Sequence, residues 1–260
     1  MPSNKHSRRA RAPRGLIASL TPEGQVSKVM ADMNSLKGGH DLRNWSASAR
    51  KELMPSLTIA LQVGADASSR IYMPKLALVA ISPVVCAYLK KDPSTVTAKF
   101  VHPDISREAV VVLAQWLKDI SSQADFPELP IPEDMNDFWK LRLTAYTLGM
   151  EQYTDHFDNY YANDVEYRAP DLEEIAAVVE NTRDSKDAIL GALANQISYL
   201  CRYNKVSEAR KAAYTNLMVE ANYSLLLAAV DEKEVKAKVK AKKAEAKKAK
   251  GKAVQAVLEA

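Results

Sequence analysis

"IYMPKLALVAISPVVCAYLKK", residues 71–91, begins as a strand and ends as a helix. "RIYM", residues 70–73, reads as a short strand. From Lys75 the period changes, and Leu76, Val79 and Ala80 share one helical face. Ser82 and Pro83 then interrupt the apolar run. Serine caps a helix start well and proline fits the first helical position, so this pair ends one helix and begins another. The stretch predicts a strand feeding two short helices that meet at a capped corner.

Upstream, "SLTIALQVG" alternates Leu57, Ile59, Leu61 and Val63 onto one face, the period of a strand. The turn "ADAS" joins it to the strand before Lys75, which predicts a hairpin over residues 56–73. Downstream, "STVTAKFVHP" is a third strand, alternating either Val96, Ala98 and Phe100 or Thr95, Thr97, Lys99 and Val101. A helix follows with Asp104 or Ser106 as its cap and Val110, Leu113, Ala114 and Leu117 as its stripe. "SSQADFPELPIPED" is a loop, and the next helix turns Phe138, Leu141, Ala145 and Leu148 inward. A further helix follows Gly149.

Beyond Pro170, Leu172, Ile175, Ala176 and Val179 fall in helical register. Asp184 or Ser185 opens a strongly periodic helix with Ile189, Leu193, Ile197 and Leu200, and one more helix runs towards residue 230. Ahead of the hairpin, Val26, Val29, Met30, Met33 and Leu36 form one stripe, ended by Gly38 and Gly39. Residues 40–53 read as a polar, partly helical connection. The expected fold class is α+β, mostly helical, with a small three-stranded sheet flanked by helices.

Charge is placed unevenly along the 260 residues, whose formal net charge is +4. Residues 1–14 carry five basic residues and no acid, and residues 233–252 carry ten Lys against two Glu. With Glu259 counted, residues 15–232 are left at −8. An acidic body therefore joins two basic ends. Residues 1–22 are expected to be disordered, and residues 231–260 to be an Ala/Lys-rich tail. The basic start has no apolar run behind it, so no secretory signal is expected. No stretch approaches the roughly 18 apolar residues of a membrane span. Cys86 and Cys201 lie in apolar helical patterns and read as reduced, buried thiols, which suits an intracellular protein of nucleus or cytoplasm.

The ordered set of elements resembles the BTB/POZ domain. Lys75, Leu76, Leu78 and Ser82 stand where that family has its post-strand "h-K-x-L-L" and following Ser. "FWKLRLTAYTLGMEQYTDHF" resembles the family's later helix pair through Leu141, Ala145, Met150 and Tyr153. "DLEEIAAVVENT" resembles the helix that follows the core in many fungal members. The resemblance implies a BTB/POZ-like domain over residues 23–168 and a helical extension over 169–230. It also implies a homodimer that binds another protein. A cullin of a ubiquitin ligase is one such partner, although "KFVHPDISRE" supplies no clear hydrophobic-x-Glu segment.

Catalytic chemistry finds little material. His6, His40, His102 and His156 are scattered without ligand spacing, so no metal is expected. No nucleophile elbow exists, Ser82 reads as a cap, and apolar flanks raise rather than lower the Cys86 thiol pKa. "GADASSR" lacks the second Gly and the Lys of a phosphate loop. Glu173, Glu174, Asp155 and Asp158 read as solvated charge. The expectation is a protein without catalytic residues or cofactor.

Two segments remain as candidates for binding. The stripe Val26, Val29, Met30, Met33 and Leu36 either packs in its own domain or meets its mate across a two-fold axis, with Met supplying adaptable contacts. The BTB/POZ resemblance favours the dimer. The run through Lys236, Lys238, Lys240, Lys242, Lys243, Lys247 and Lys248 is either a solvated tail or a weak nucleic-acid or nuclear-targeting element. No aromatic interrupts the run, so it offers no platform for base stacking.

Overall fold

Thr58–Val63 (β1) and Arg70–Pro74 (β2) form the antiparallel hairpin that the alternation predicts, with Leu61 opposite Ile71. Thr97–Phe100 (β3) joins the other side of β1, giving the order β2-β1-β3. This second pairing is parallel, which requires a crossover, and the two helices of the Ser82 corner provide it. The fold is α+β and mostly helical. The computed structural model describes residues 17–35, 40–54, 57–66, 69–182, 184–220 and 223–258; of the side chains beyond residue 240 it describes only Lys243. The basic N-terminus up to residue 16, Leu36, the Gly38-Gly39 stop and the last two residues of the "ADAS" turn lie outside them. Two compact units divide the chain, Met1–Asp155 and His156–Ala260.

In the first unit, Pro22–Ser35 (α1) packs on Lys75–Ile81 (α3). Every residue of α3 is buried, which explains an apolar run with little amphipathic contrast. Its one charge, Lys75, donates from Nζ to the carbonyls of Pro93 at 2.6 Å and Thr95 at 2.7 Å. That satisfies a buried ammonium and ties the start of α3 to the segment leading into β3.

The corner forms as expected. Ser82 Oγ accepts from the Val85 N–H at 3.0 Å, and Pro83 opens Pro83–Leu89 (α4). The same hydroxyl donates to the Leu148 carbonyl at 2.6 Å, just past Met135–Thr147 (α6). Gly149 follows with φ +71°, and Met150 N–H returns to the Ala145 carbonyl at 2.8 Å, closing the helix end. A Cβ at Gly149 would lie 2.7 Å from Pro83 Cγ. Glycine is thus required twice, for backbone sign and for space.

Arg107–Ser122 (α5) packs on β2 and α6, and its cap is Ser106 rather than Asp104. Residues 40–53 are partly helical, as the sequence predicts. A short helix, Ala47–Lys51 (α2), carries the buried Arg50, whose guanidinium donates to the carbonyls of Trp45, Ile120, Gln123 and Ala124 at 2.7–3.2 Å. One side chain so satisfies three carbonyls at and just beyond the C-terminal end of α5.

The second unit is helical: Asp155–Glu166 (α7), Leu172–Glu180 (α8), Ala188–Arg202 (α9), Glu208–Glu220 (α10) and Ser224–Leu258 (α11). The boundary falls at residues 155/156, not at 168/169, because polar ties bind α7 to the helices after it. Tyr161 OH donates to Glu174 at 2.7 Å, Arg168 pairs with both Asp164 and Glu174, and Gln196 donates to the carbonyls of Glu166 and Arg168. Glu174 is therefore a mostly buried partner rather than solvated charge.

Two stripes also shift. α8 buries Ile175 and Val178 and leaves Leu172 exposed, while α9 starts from the cap Asp187, not Asp184 or Ser185. Ile189, Leu193, Ile197 and Leu200 are all buried, as predicted. Residue 231 is no boundary, since α11 runs through it as one continuous helix. Lys and Ala are both good helix formers, and the buried Leu226 and Val230 anchor its start.

Candidate functional site

The stripe expected to face a second copy is used up inside the first unit. Val26, Val29, Met30 and Met33 are buried, and the helix that carries them packs on α3. An apolar face this well matched to its own core leaves nothing for a mate to cover. This corrects the dimer-surface reading for the four residues described, and Leu36 lies outside the described residues. The family-like residues Lys75, Leu76, Leu78, Ser82, Leu141, Ala145 and Met150 are likewise all buried in the first unit. They hold the corner and its neighbours rather than present a surface.

The tail fares differently. Along α9, Asn195, Ser198, Tyr199 and Arg202 fall at i, i+3, i+4 and i+7, one face of the helix. Along α11, Lys233, Lys236, Ala237 and Lys240 repeat the same spacing. The two faces, with Tyr203 at the end of α9, line an open groove of about 530 Å³. Among the described residues that line it, four are cationic and none is acidic.

Leu226 and Val230 explain how the faces come together. They lie on the side of α11 that continues through Lys233 and Ala237, and α11 packs along α9 and α10. Arg202 is held in place by donating from Nη2 to Ser198 Oγ at 2.9 Å and to the Lys233 carbonyl at 3.4 Å. Tyr199 and Tyr203 are 42% and 57% exposed, with ring centroids 5.0 Å apart and planes tilted by 51°. Lys236 pairs with Glu232, and Lys238 pairs with Glu234 at 3.9 Å. The remaining groove cations, Arg202, Lys233 and Lys240, are the ones with charge to offer a ligand.

Of the predicted tail residues, Lys236 and Lys240 line the groove. Lys238 and Lys243 are exposed, and nothing describes the side chains of Lys242, Lys247 and Lys248. Lys233 opens the basic run 233–252 already visible in the sequence, whereas Arg202, Tyr199 and Tyr203 were missed. Their signal was the polar and aromatic spacing on α9, which a search for apolar stripes passes over.

Elsewhere the chemistry is plain. Among the described residues, no group of three or more His, Cys, Asp or Glu is placed to hold a metal ion. Burial pushes both the Cys86 and Cys201 thiols up, away from the reactive thiolate. No helix among the described residues is long and apolar enough to cross a membrane. Compared with family models, curated proteins and solved structures, the chain matches none.

Proposed function

We propose that the protein is a non-catalytic binding protein of nucleus or cytoplasm that engages polyanions, nucleic acid above all, through its C-terminal helices. The observation that carries this reading is the α9–α11 groove, where Arg202, Lys233 and Lys240 converge without a lining acid among the described residues. Contact with phosphates releases condensed counterions, so affinity falls steeply with salt. Three or four neutralised phosphates correspond to a log–log salt slope of about −2 to −4. Residues 15–232 sum to −8, so positive charge is concentrated in the C-terminal lysine run and in residues 1–14.

The test is binding of labelled nucleic acid across a salt series, with Lys233→Glu plus Lys240→Glu as the variant. Expected are a salt slope in that range and loss of binding in a variant that still melts like wild type. Absence of binding at about 50 mM salt, where such contacts are strong, would end the reading.

A second reading applies to the first unit, as a protein-interaction module of the BTB/POZ kind, homodimeric or joined to another protein such as a cullin. Val96 and Val101, which flank the edge strand β3, are 70% and 72% exposed, and Tyr72 on the opposite edge strand is exposed too. Open strand edges with apolar side chains suit strand-by-strand docking. Solution mass of the wild type tests the homodimer, and a monomer at all concentrations removes it.

A further inference from the structure

We propose that the α9–α11 groove reads single-stranded nucleic acid, stacking bases on Tyr199 and Tyr203 while Arg202, Lys233 and Lys240 hold the phosphates. The proposal rests on the polyanion reading above and deepens it from charge to strandedness. The lysine run by itself offers no ring to a base. The fold supplies two, from a helix some thirty residues earlier in the chain.

Scattered exposed aromatics need no explanation. These two are not scattered. They lie one helical turn apart, their centroids 5.0 Å from each other, inside a groove whose described charged side chains are all cationic. Each keeps about half of its surface exposed. That combination, rings interleaved with a cationic track, is what sequence-tolerant single-strand binding uses, because every base has a face to stack. A duplex keeps its bases stacked on one another and can offer this groove only phosphates.

Dimensions agree with a short contact. Asn195 to Tyr203 spans about 12 Å of helix at ~1.5 Å per residue. That length serves about three nucleotides at the ~3.4 Å per nucleotide of one strand. An acidic peptide would satisfy the same cations but would leave both rings without a planar partner. Lys236, already paired with Glu232, adds less than its neighbours.

The experiment measures binding of the full chain to a fluorescent 12-nucleotide single-stranded RNA, the matching single-stranded DNA and the matching duplex at one fixed salt. Poly-glutamate serves as competitor. Expected is tighter binding to the single strands than to the duplex. Tyr199→Ala with Tyr203→Ala should weaken single-strand binding by roughly 5- to 100-fold and leave duplex binding unchanged. Tyr199→Phe with Tyr203→Phe should retain it. Tyr199→Leu with Tyr203→Leu keeps apolar bulk without a ring, and should behave as the alanine pair even if that pair folds poorly. Equal binding to duplex, or ring-free variants that bind single strands like wild type, would overturn base stacking and leave the polyanion reading standing. Displacement of the single strand by poly-glutamate at equal charge concentration would overturn it in favour of an acidic peptide. No binding to any nucleic acid would remove both proposals.

Discussion

The face of α1 and the face of α9 obey one spacing and have opposite fates. Val26, Val29, Met30 and Met33 occupy i, i+3, i+4 and i+7, as do Asn195, Ser198, Tyr199 and Arg202. The first set is buried in its own unit, while the second lines an open groove. Burial of apolar area is the main stabilising term in folding, so a purely apolar stripe is taken by the nearest apolar surface of its own chain. A mixed face of amide, ring and guanidinium gains less from burial and stays at least partly exposed, with only Ser198 buried. The strongest apolar stripe is thus a poor pointer to binding, and a second-rate amphipathic face is a better one.

The largest effect that separates the two faces is on stability. Met33→Ala should cost about 2–5 kcal/mol through a lost transfer term plus a cavity, whereas Tyr203→Ala should stay within about 0.5 kcal/mol of wild type. Urea denaturation checks both. If Met33→Ala kept full stability and instead lowered the solution mass, the stripe would return to an intermolecular role.

Next comes the corner. Gly149→Ala must place a side chain at positive φ and against Pro83, so a loss of about 2 kcal/mol or more is expected. The groove's residues are untouched, and nucleic-acid binding by the folded fraction should be unchanged. Tm and binding measured on the same sample test the pair of statements.

The smallest effect is a pH dependence. Burial holds the His40 imidazole below its ordinary pKa of 6.5, with Lys90 acting in the same direction and its Nδ1 hydrogen bond to the Ala80 carbonyl opposing. As pH falls through 6.5, the unfolded chain takes up a proton that the folded chain resists. Stability contributed by the first unit should therefore decline below that pH, and His40→Asn should flatten the decline. His40 does not line the groove, so groove binding should not follow the same curve. A wild-type urea midpoint that is level between pH 7 and pH 5 would contradict this.

Much of the fold was legible because period and punctuation are local. The alternation through Ile59 and Leu61, the Ser82-Pro83 pair, and the stripes of α5, α6 and α9 need only neighbouring residues to be read. What escaped depends on partners far along the chain. Arg50 collects carbonyls about seventy residues away, and the ties from Tyr161 to Glu174 and from Gln196 to Glu166 move the unit boundary without leaving any periodic trace. Beyond Val230, α11 carries no apolar stripe, so its continuity shows only in the helix propensity of Lys and Ala. Half of the groove was visible as a lysine run. The other half becomes visible only when α9 and α11 are laid side by side.

Continuity of α11 has a mechanical consequence. Leu226 and Val230 set the rotational phase of the helix, and each later residue inherits it at about 100° per step. One residue inserted between Val230 and Lys233 would swing the whole lysine face about 100° around the axis, away from Arg202 and the two rings. The same insertion after Lys240 would leave the groove as it is. Length in this helix is therefore constrained before the groove and free behind it.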